Sequence, residues 1–88
     1  MSKAIGSNAA TANRTAPLEG VRVVKRSIAI AGHRTSVSLE DAFWSELKRL
    51  ASSSGRSLSA LIASIDVKRG DANLSSAIRV YVLRNALQ

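Results

Sequence analysis

The chain has 88 residues, no cysteine and a formal net charge of +7, from 13 Lys and Arg against 6 Asp and Glu. This length allows one domain, and the absence of cysteine excludes disulfides and thiolate metal sites. No apolar run in the sequence approaches the roughly 18 residues that span a bilayer, and the N-terminus lacks the apolar region of a signal peptide. We therefore expect a cytoplasmic protein.

The positive charge is concentrated in the first part of the chain. Residues 1–36 carry six basic residues and one acidic residue, a net charge of +5, whereas residues 37–88 carry a net charge of +2. Residues 1–20 are mainly Ala, Ser, Thr, Asn and Gly, which predicts a disordered basic tail. Lys25 and Arg26 follow it, where they can contact a phosphate backbone.

The folding unit that remains, residues 21–88, is small, and a monomer of this size buries little core. Oligomerisation often supplies the missing burial. Within it, residues 21–31 are β-branched and apolar, with Ile28 and Ile30 on one strand face. Two interpretations stay open: this segment extends the next strand, or it forms a local hairpin with it.

Residues 34–39 alternate between apolar and polar side chains, which predicts a half-buried strand. Val37 and Leu39 belong to the face that packs on the core. Arg34, Ser36 and Ser38 lie on the other face. That second face is short and polar apart from the arginine, and it suits close approach to another surface.

Three helices are predicted after this strand, over residues 40–54, 58–69 and 74–87. Ser38, with an acidic residue three positions later, is the expected N-cap of the first helix, and Gly55 is its expected end. Ser57 or Ser59 is expected to cap the second. Phe43 and Trp44 share a helical stripe with leucines, so core packing is a better interpretation than stacking on bases.

The strand-helix-helix order and the stretches GHRTSVSLE, FW and NLSSAIRV resemble the ribbon-helix-helix family of bacterial DNA-binding proteins. The resemblance implies a mostly α fold with one short β-strand per chain and, in this sequence, an extra C-terminal helix. It also implies an intertwined homodimer, in which two strands pair between chains as an antiparallel ribbon. An intramolecular hairpin would occupy a strand edge that this ribbon needs.

The same resemblance assigns roles to individual residues. Arg34, Ser36 and Ser38 would read base edges in the major groove. The turn that opens the second helix would bind phosphate through Arg56, Ser57 and Ser59. Phosphate would also be bound by two residues upstream of the strand, Lys25 and Arg26. The dimer core would comprise the inward apolar residues of the strand and the first two helices: Val37, Leu39, Phe43, Trp44, Leu47, Leu50, Leu58, Leu61, Ile62 and Ile65.

No catalytic or metal site is expected, and no cofactor. His33 is the only histidine, it shows no ligand spacing with the aspartates, and no G-x-S-x-G motif accompanies the serines. A role for His33 in a turn or a phosphate contact is the simpler interpretation.

These patterns predict a sequence-specific double-stranded DNA-binding transcriptional regulator, a repressor, that is not an enzyme. Its expected partners are double-stranded DNA, a second copy of itself with higher-order assembly on DNA, and a protein bound through the C-terminal helix. The alternative is a ribbon-helix-helix dimer that serves as a protein-interaction module or antitoxin-like partner without specific DNA readout. The small serines at two of the three reading positions keep this alternative open.

Overall fold

The computed structural model describes residues 18–86, which form a two-stranded antiparallel hairpin followed by three helices. The elements are β1 (Val23–Ile30), β2 (His33–Glu40), α1 (Asp41–Ser53), α2 (Leu58–Lys68) and α3 (Leu74–Ala86). The predicted order of a strand followed by three helices is confirmed. The disorder predicted for residues 1–17, and helix at residue 87, lie outside the described residues.

The chain supplies two strands where the sequence analysis expected one. β1 pairs with β2 in a register that runs from Ile30 opposite His33 to Val23 opposite Glu40. Ala31 and Gly32 form the two-residue turn with φ angles of 49° and 83°. Two successive positive φ angles are typical of type I′ hairpin turns, whose twist matches that of paired strands. The interpretation of residues 21–31 as a local hairpin strand is therefore the correct one.

The N-terminus of α1 is satisfied by backbone rather than by Ser38. Ser38 lies inside β2, and the N-cap position is Glu40, whose side chain makes no capping hydrogen bond. The Asp41 N–H instead donates to the Arg22 carbonyl at 2.8 Å, and the Ala42 N–H donates to the Gly20 carbonyl at 3.0 Å. The predicted Ser38 cap is wrong because the chain before β1 supplies these acceptors.

Gly20, which the sequence analysis assigned to the tail, packs directly against α1. Its φ is 78°, and a Cβ at this position would lie 2.8 Å from the Ala42 Cβ. Only glycine has both the conformation and the space for this contact. The ordered unit therefore begins upstream of β1.

A single hydrophobic core forms between the hairpin and the three helices. α2 packs against β1, and α3 packs against β2, α1 and α2. Of the ten residues expected in a dimer core, seven are buried within this one chain, while Phe43, Leu50 and Leu58 are partly buried against them. β1 and α3 add Ile28, Ile30, Ile78 and Val82. These residues are therefore buried or partly buried within one chain, because the hairpin and α3 close the core, and their place in a dimer core stays a prediction.

The second and third helices begin at side-chain caps. The Ser57 hydroxyl accepts from the Ala60 N–H at 3.1 Å, and the Asn73 side-chain oxygen accepts from the Ser76 N–H at 3.2 Å. Of the two caps expected for the second helix, Ser57 is therefore the correct one, and Ser59 lies inside the helix. None of the helices between residues 18 and 86 is long and apolar enough to cross a membrane.

Candidate nucleic-acid interface

The hairpin presents one face to the core and the other to solvent. Strand alternation and the register place four cross-strand pairs on the solvent side. One of them, Val23 opposite Glu40, lies at the end of the hairpin next to α1. We call the surface of the other three the outward face: Lys25 opposite Ser38, Ser27 opposite Ser36, and Ala29 opposite Arg34. Arg34, Ser36 and Lys25 are exposed, and Ser38 is partly exposed. The three predicted reading residues therefore lie on one side of a two-stranded ribbon formed within the chain.

The outward face is positively charged. Lys25 and Arg34 are its charged residues, and the Arg34 Nη1 donates to the Ser27 hydroxyl at 3.2 Å, linking the two strands. Glu40, at the end of β2, accepts from the Arg79 Nε of α3 at 2.9 Å. This hydrogen bond lowers the pKa of the Glu40 carboxyl, which holds the carboxylate in its ion pair at neutral pH.

Arg26 lies on the other side of the hairpin from its neighbour Lys25. Its guanidinium carbon is 5.2 Å from the centre of the Trp44 ring, and its Nε is buried without a hydrogen-bond partner in the described chain. Consecutive strand residues face opposite sides, so the two basic residues cannot share one surface. The structure does not place Arg26 with the outward face, contrary to their grouping in the sequence analysis.

The turn between α1 and α2 carries the other three residues expected to bind phosphate. Ser57 is engaged as the helix cap, and the Arg56 Nη1 donates to the Ser64 hydroxyl at 3.2 Å. Ser59 is exposed in the first turn of α2. Its hydroxyl and the guanidinium of Arg56 remain accessible at a helix N-terminus, whose unpaired N–H groups favour anions.

Sequence reasoning missed Ser27 and Ala29 as part of the candidate site. Both lie on β1, Ala29 directly opposite Arg34 and Ser27 directly opposite Ser36. The signal was present in the alternation of Lys25, Ser27 and Ala29 with more buried neighbours. That alternation assigns Ser27 and Ala29 to the outward face only if the Ala31–Gly32 turn pairs the two strands.

His33 lies at the turn end of β2 and is exposed. Within residues 18–86, no group of three or more His, Asp or Glu side chains could hold a metal ion.

The outward face offers hydrogen-bond donors, hydroxyls and positive charge. A B-DNA major groove about 12 Å wide admits two strands of such a face.

Comparisons with known proteins agree on the architecture. A family model described as "Ribbon-helix-helix domain" matches residues 23–86. The solved structure of an uncharacterized protein from Bordetella pertussis Tohama I matches with a TM-score of 0.72 and 31% sequence identity. That match covers 90% of this chain and 67% of the other. None of the curated proteins compared matches the chain.

Proposed function

Because the chain belongs to the ribbon-helix-helix family, we propose that it is a sequence-specific double-stranded DNA-binding transcriptional regulator that acts as a repressor. Members of this family are generally DNA-binding regulators, they typically form dimers, and their fold is not enzymatic. Repression would follow from occupancy of an operator, since a protein bound there excludes other proteins from the same DNA.

The observation that supports this proposal best is the composition of the outward face. It is a two-stranded surface with two cations, three serines and an alanine in its three cross-strand pairs. Glu40 lies on the same side at the end of β2, but its charge is paired with Arg79. Short side chains let the backbone of a ribbon approach base edges closely. Positive charge favours the phosphates on either side of the groove.

Each residue of the outward face has a proposed role. Arg34 would donate two hydrogen bonds to guanine O6 and N7, an interaction worth about 1–3 kcal/mol against a wrong base. Ser36 and Ser38 would add modest discrimination, because a hydroxyl both donates and accepts. Lys25 would contact phosphate, as would Arg56 and Ser59 at the N-terminus of α2.

The proposed homodimer uses the second edge of β2. β1 occupies only one edge, and none of the backbone hydrogen bonds outside the hairpin in residues 18–86 involves a residue of β2. An unpaired strand edge is a template for another strand, and the same edge of a second copy satisfies two-fold symmetry. Such pairing would join the two hairpins into a four-stranded sheet, and its two central strands, β2 of each chain, would form the ribbon that carries Arg34, Ser36 and Ser38 on one surface.

We expect Arg34→Ala to relax base preference while leaving non-specific affinity nearly intact. The test is a competition binding assay against a pool of genomic fragments at near-physiological salt.

Lys25→Ala should weaken binding to all sequences alike and reduce the slope of log affinity against log salt by about 1. Lys48→Ala, which removes an exposed cation from α1, is the matched control and should change neither property.

Two results would contradict the proposed readout. One is recovery of the same DNA sites by wild type and Arg34→Ala with equal preference. The other is binding by the wild type that is indifferent to sequence and lost at modest salt, since that behaviour needs only the overall positive charge. Either result would favour the protein-interaction module, for which the small serines are the supporting observation.

A further inference from the structure

A second feature, separate from the hairpin, is an open groove between α2 and α3 on the surface of the protein. Its volume is about 370 Å³. The groove extends along α2, from Arg56 just before the helix to Lys68 and Arg69 at its end, and is bounded on α3 by residues from Ala77 to Asn85. An 11-residue helix is about 16 Å long, which sets the length of the groove.

The rim of this α2–α3 groove is basic. Four of its lining residues are Arg56, Lys68, Arg69 and Arg84, and none is acidic. Arg69 is neutralised by Asp66, at 2.5 Å from its Nε. The ion pairs found between residues 18 and 86 do not include the other three cations. The groove therefore carries uncompensated positive charge at both ends.

The floor of the α2–α3 groove is apolar. Ile65 and Ala77 lie at its base, and Tyr81 is partly buried beside them. Val80 lines the groove and remains 49% exposed, and Leu83, one turn along α3, is 64% exposed. Exposed aliphatic side chains next to a cationic rim favour a ligand that is itself apolar on one side and anionic on the other.

We propose that the α2–α3 groove binds an acidic amphipathic peptide segment of a partner protein. One or more apolar side chains of that segment would cover Val80 and Tyr81, while its carboxylates would meet Arg56, Lys68 and Arg84. A DNA backbone is a poorer occupant, because phosphates gain nothing from an aliphatic floor. The chain's own first twenty residues carry Lys3 and Arg14 against Glu19, so their charge does not complement the groove.

The experiment measures fluorescence anisotropy of a labelled peptide of about 11 residues, matched to the groove length. The peptide has leucines at helical spacing on one face and glutamates on the other. The full chain is titrated at low and near-physiological salt. The test variant is Lys68→Glu with Arg84→Glu, and its charge-matched control is Arg22→Glu with Lys48→Glu, four exposed residues in all.

We expect saturable binding by wild type and control, and at least about tenfold weaker binding by the Lys68→Glu/Arg84→Glu variant, with a smaller salt dependence. Val80→Ser should weaken binding similarly at both salt concentrations, because it removes apolar contact rather than charge. Circular dichroism of each variant verifies that the helices persist, and all the substituted residues are exposed.

Absence of saturable binding by wild type, or equal affinity for all variants, would overturn the proposal. A scrambled peptide of the same composition that binds equally well would also overturn it, since charge alone would then suffice. The same variants are titrated with a random-sequence DNA duplex. If Lys68→Glu/Arg84→Glu weakens DNA binding as much as peptide binding, the groove is a nucleic-acid surface instead. The proposal does not depend on DNA binding by the hairpin, and Lys25→Ala should not change peptide affinity.

Discussion

At the scale of single residues, Trp44 connects the hairpin to the first helix through two different contacts. Its indole N–H donates to the Val24 carbonyl of β1 at 2.9 Å, and its ring lies under the guanidinium of Arg26. The hydrogen bond satisfies the indole N–H of a side chain that is only 1% exposed. The guanidinium carbon of Arg26 lies 5.2 Å from the ring centre, a cation–π contact worth about 0.5–1 kcal/mol.

The ion pair between Glu40 and Arg79 should make stability depend on acid pH. The pKa of Glu40 is lowered by this hydrogen bond, so its contribution is present above the ordinary carboxyl value of 4.5 and is lost as pH falls through the lower folded value. Glu40→Gln should therefore be less stable than wild type near neutral pH and should approach it in acid. Urea unfolding midpoints between neutral pH and acid measure the difference.

Arg79→Met supplies the control for that ion pair. It keeps an aliphatic stem near Phe43, where the arginine lies 6.0 Å from the ring centre, but removes the partner charge. The two substitutions should not be additive, because each removes the same interaction. If the urea unfolding midpoints of wild type and Glu40→Gln change in parallel with pH, the ion pair contributes nothing to folding.

Ser57 and Ser59 offer a matched comparison between a structural and an exposed hydroxyl. Ser57→Ala should reduce the free energy of unfolding by about 1 kcal/mol, because it removes the cap of α2. Ser59→Ala should change it by less than about 0.5 kcal/mol, since Ser59 is exposed. Chemical denaturation followed by circular dichroism compares them. Equal losses would mean that the capping bond is not the source of stability.

At the scale of the elements, the helices were more predictable than the hairpin. Their apolar residues recur at helical spacing, and that spacing alone identified Trp44, Leu47, Leu61 and Ile62 as core residues. The sequence could not show whether the strand pairs within its own chain or with another chain, because an alternating strand makes the same hydrogen bonds in both cases. The Ser38 cap failed for a related reason: the carbonyls of Gly20 and Arg22 are distant in sequence from the helix they complete.

The turn of the hairpin gives a stabilising prediction. Ala31 has a φ of 49°, which disfavours residues with a Cβ, whereas asparagine tolerates this region. Ala31→Asn should raise the free energy of unfolding by about 0.5–1 kcal/mol, because Asn-Gly is the preferred type I′ pair. Gly32→Ala is the opposite control and should lower it, since Gly32 has a φ of 83°. A lower urea midpoint for Ala31→Asn would contradict this account of the turn.

At the scale of the whole molecule, the core closes within one chain, while among residues 18–86 the outer edges of β1 and β2 have no strand partner. Buried residues from both strands and all three helices form one cluster without a second copy. This arrangement could not be inferred from size, because residues 21–31 and 74–86 look like additions to a minimal dimeric fold. They are the elements that complete the hydrophobic core within one chain.

We therefore expect the proposed dimer to dissociate on dilution without unfolding. Sedimentation velocity over a range of concentrations should show conversion to monomer, while the helical circular dichroism signal per residue stays constant. An obligate dimer would behave differently, because its unfolding midpoint falls as the protein is diluted. Loss of helix in step with dissociation would show that burial in one chain is insufficient for folding.

The alternation along the hairpin also bears on how this protein can evolve. The same eight-residue strand carries Val37 and Leu39, which hold the core, and Ser36 and Ser38, which do not. A point mutation at an outward position changes surface chemistry with little effect on stability. A one-residue insertion would instead move the core residues to the solvent side and the polar residues to the core side, so both the core and the outward face would be lost. We therefore expect related proteins to differ in what they recognise through substitutions at outward positions rather than through insertions or deletions within the strands.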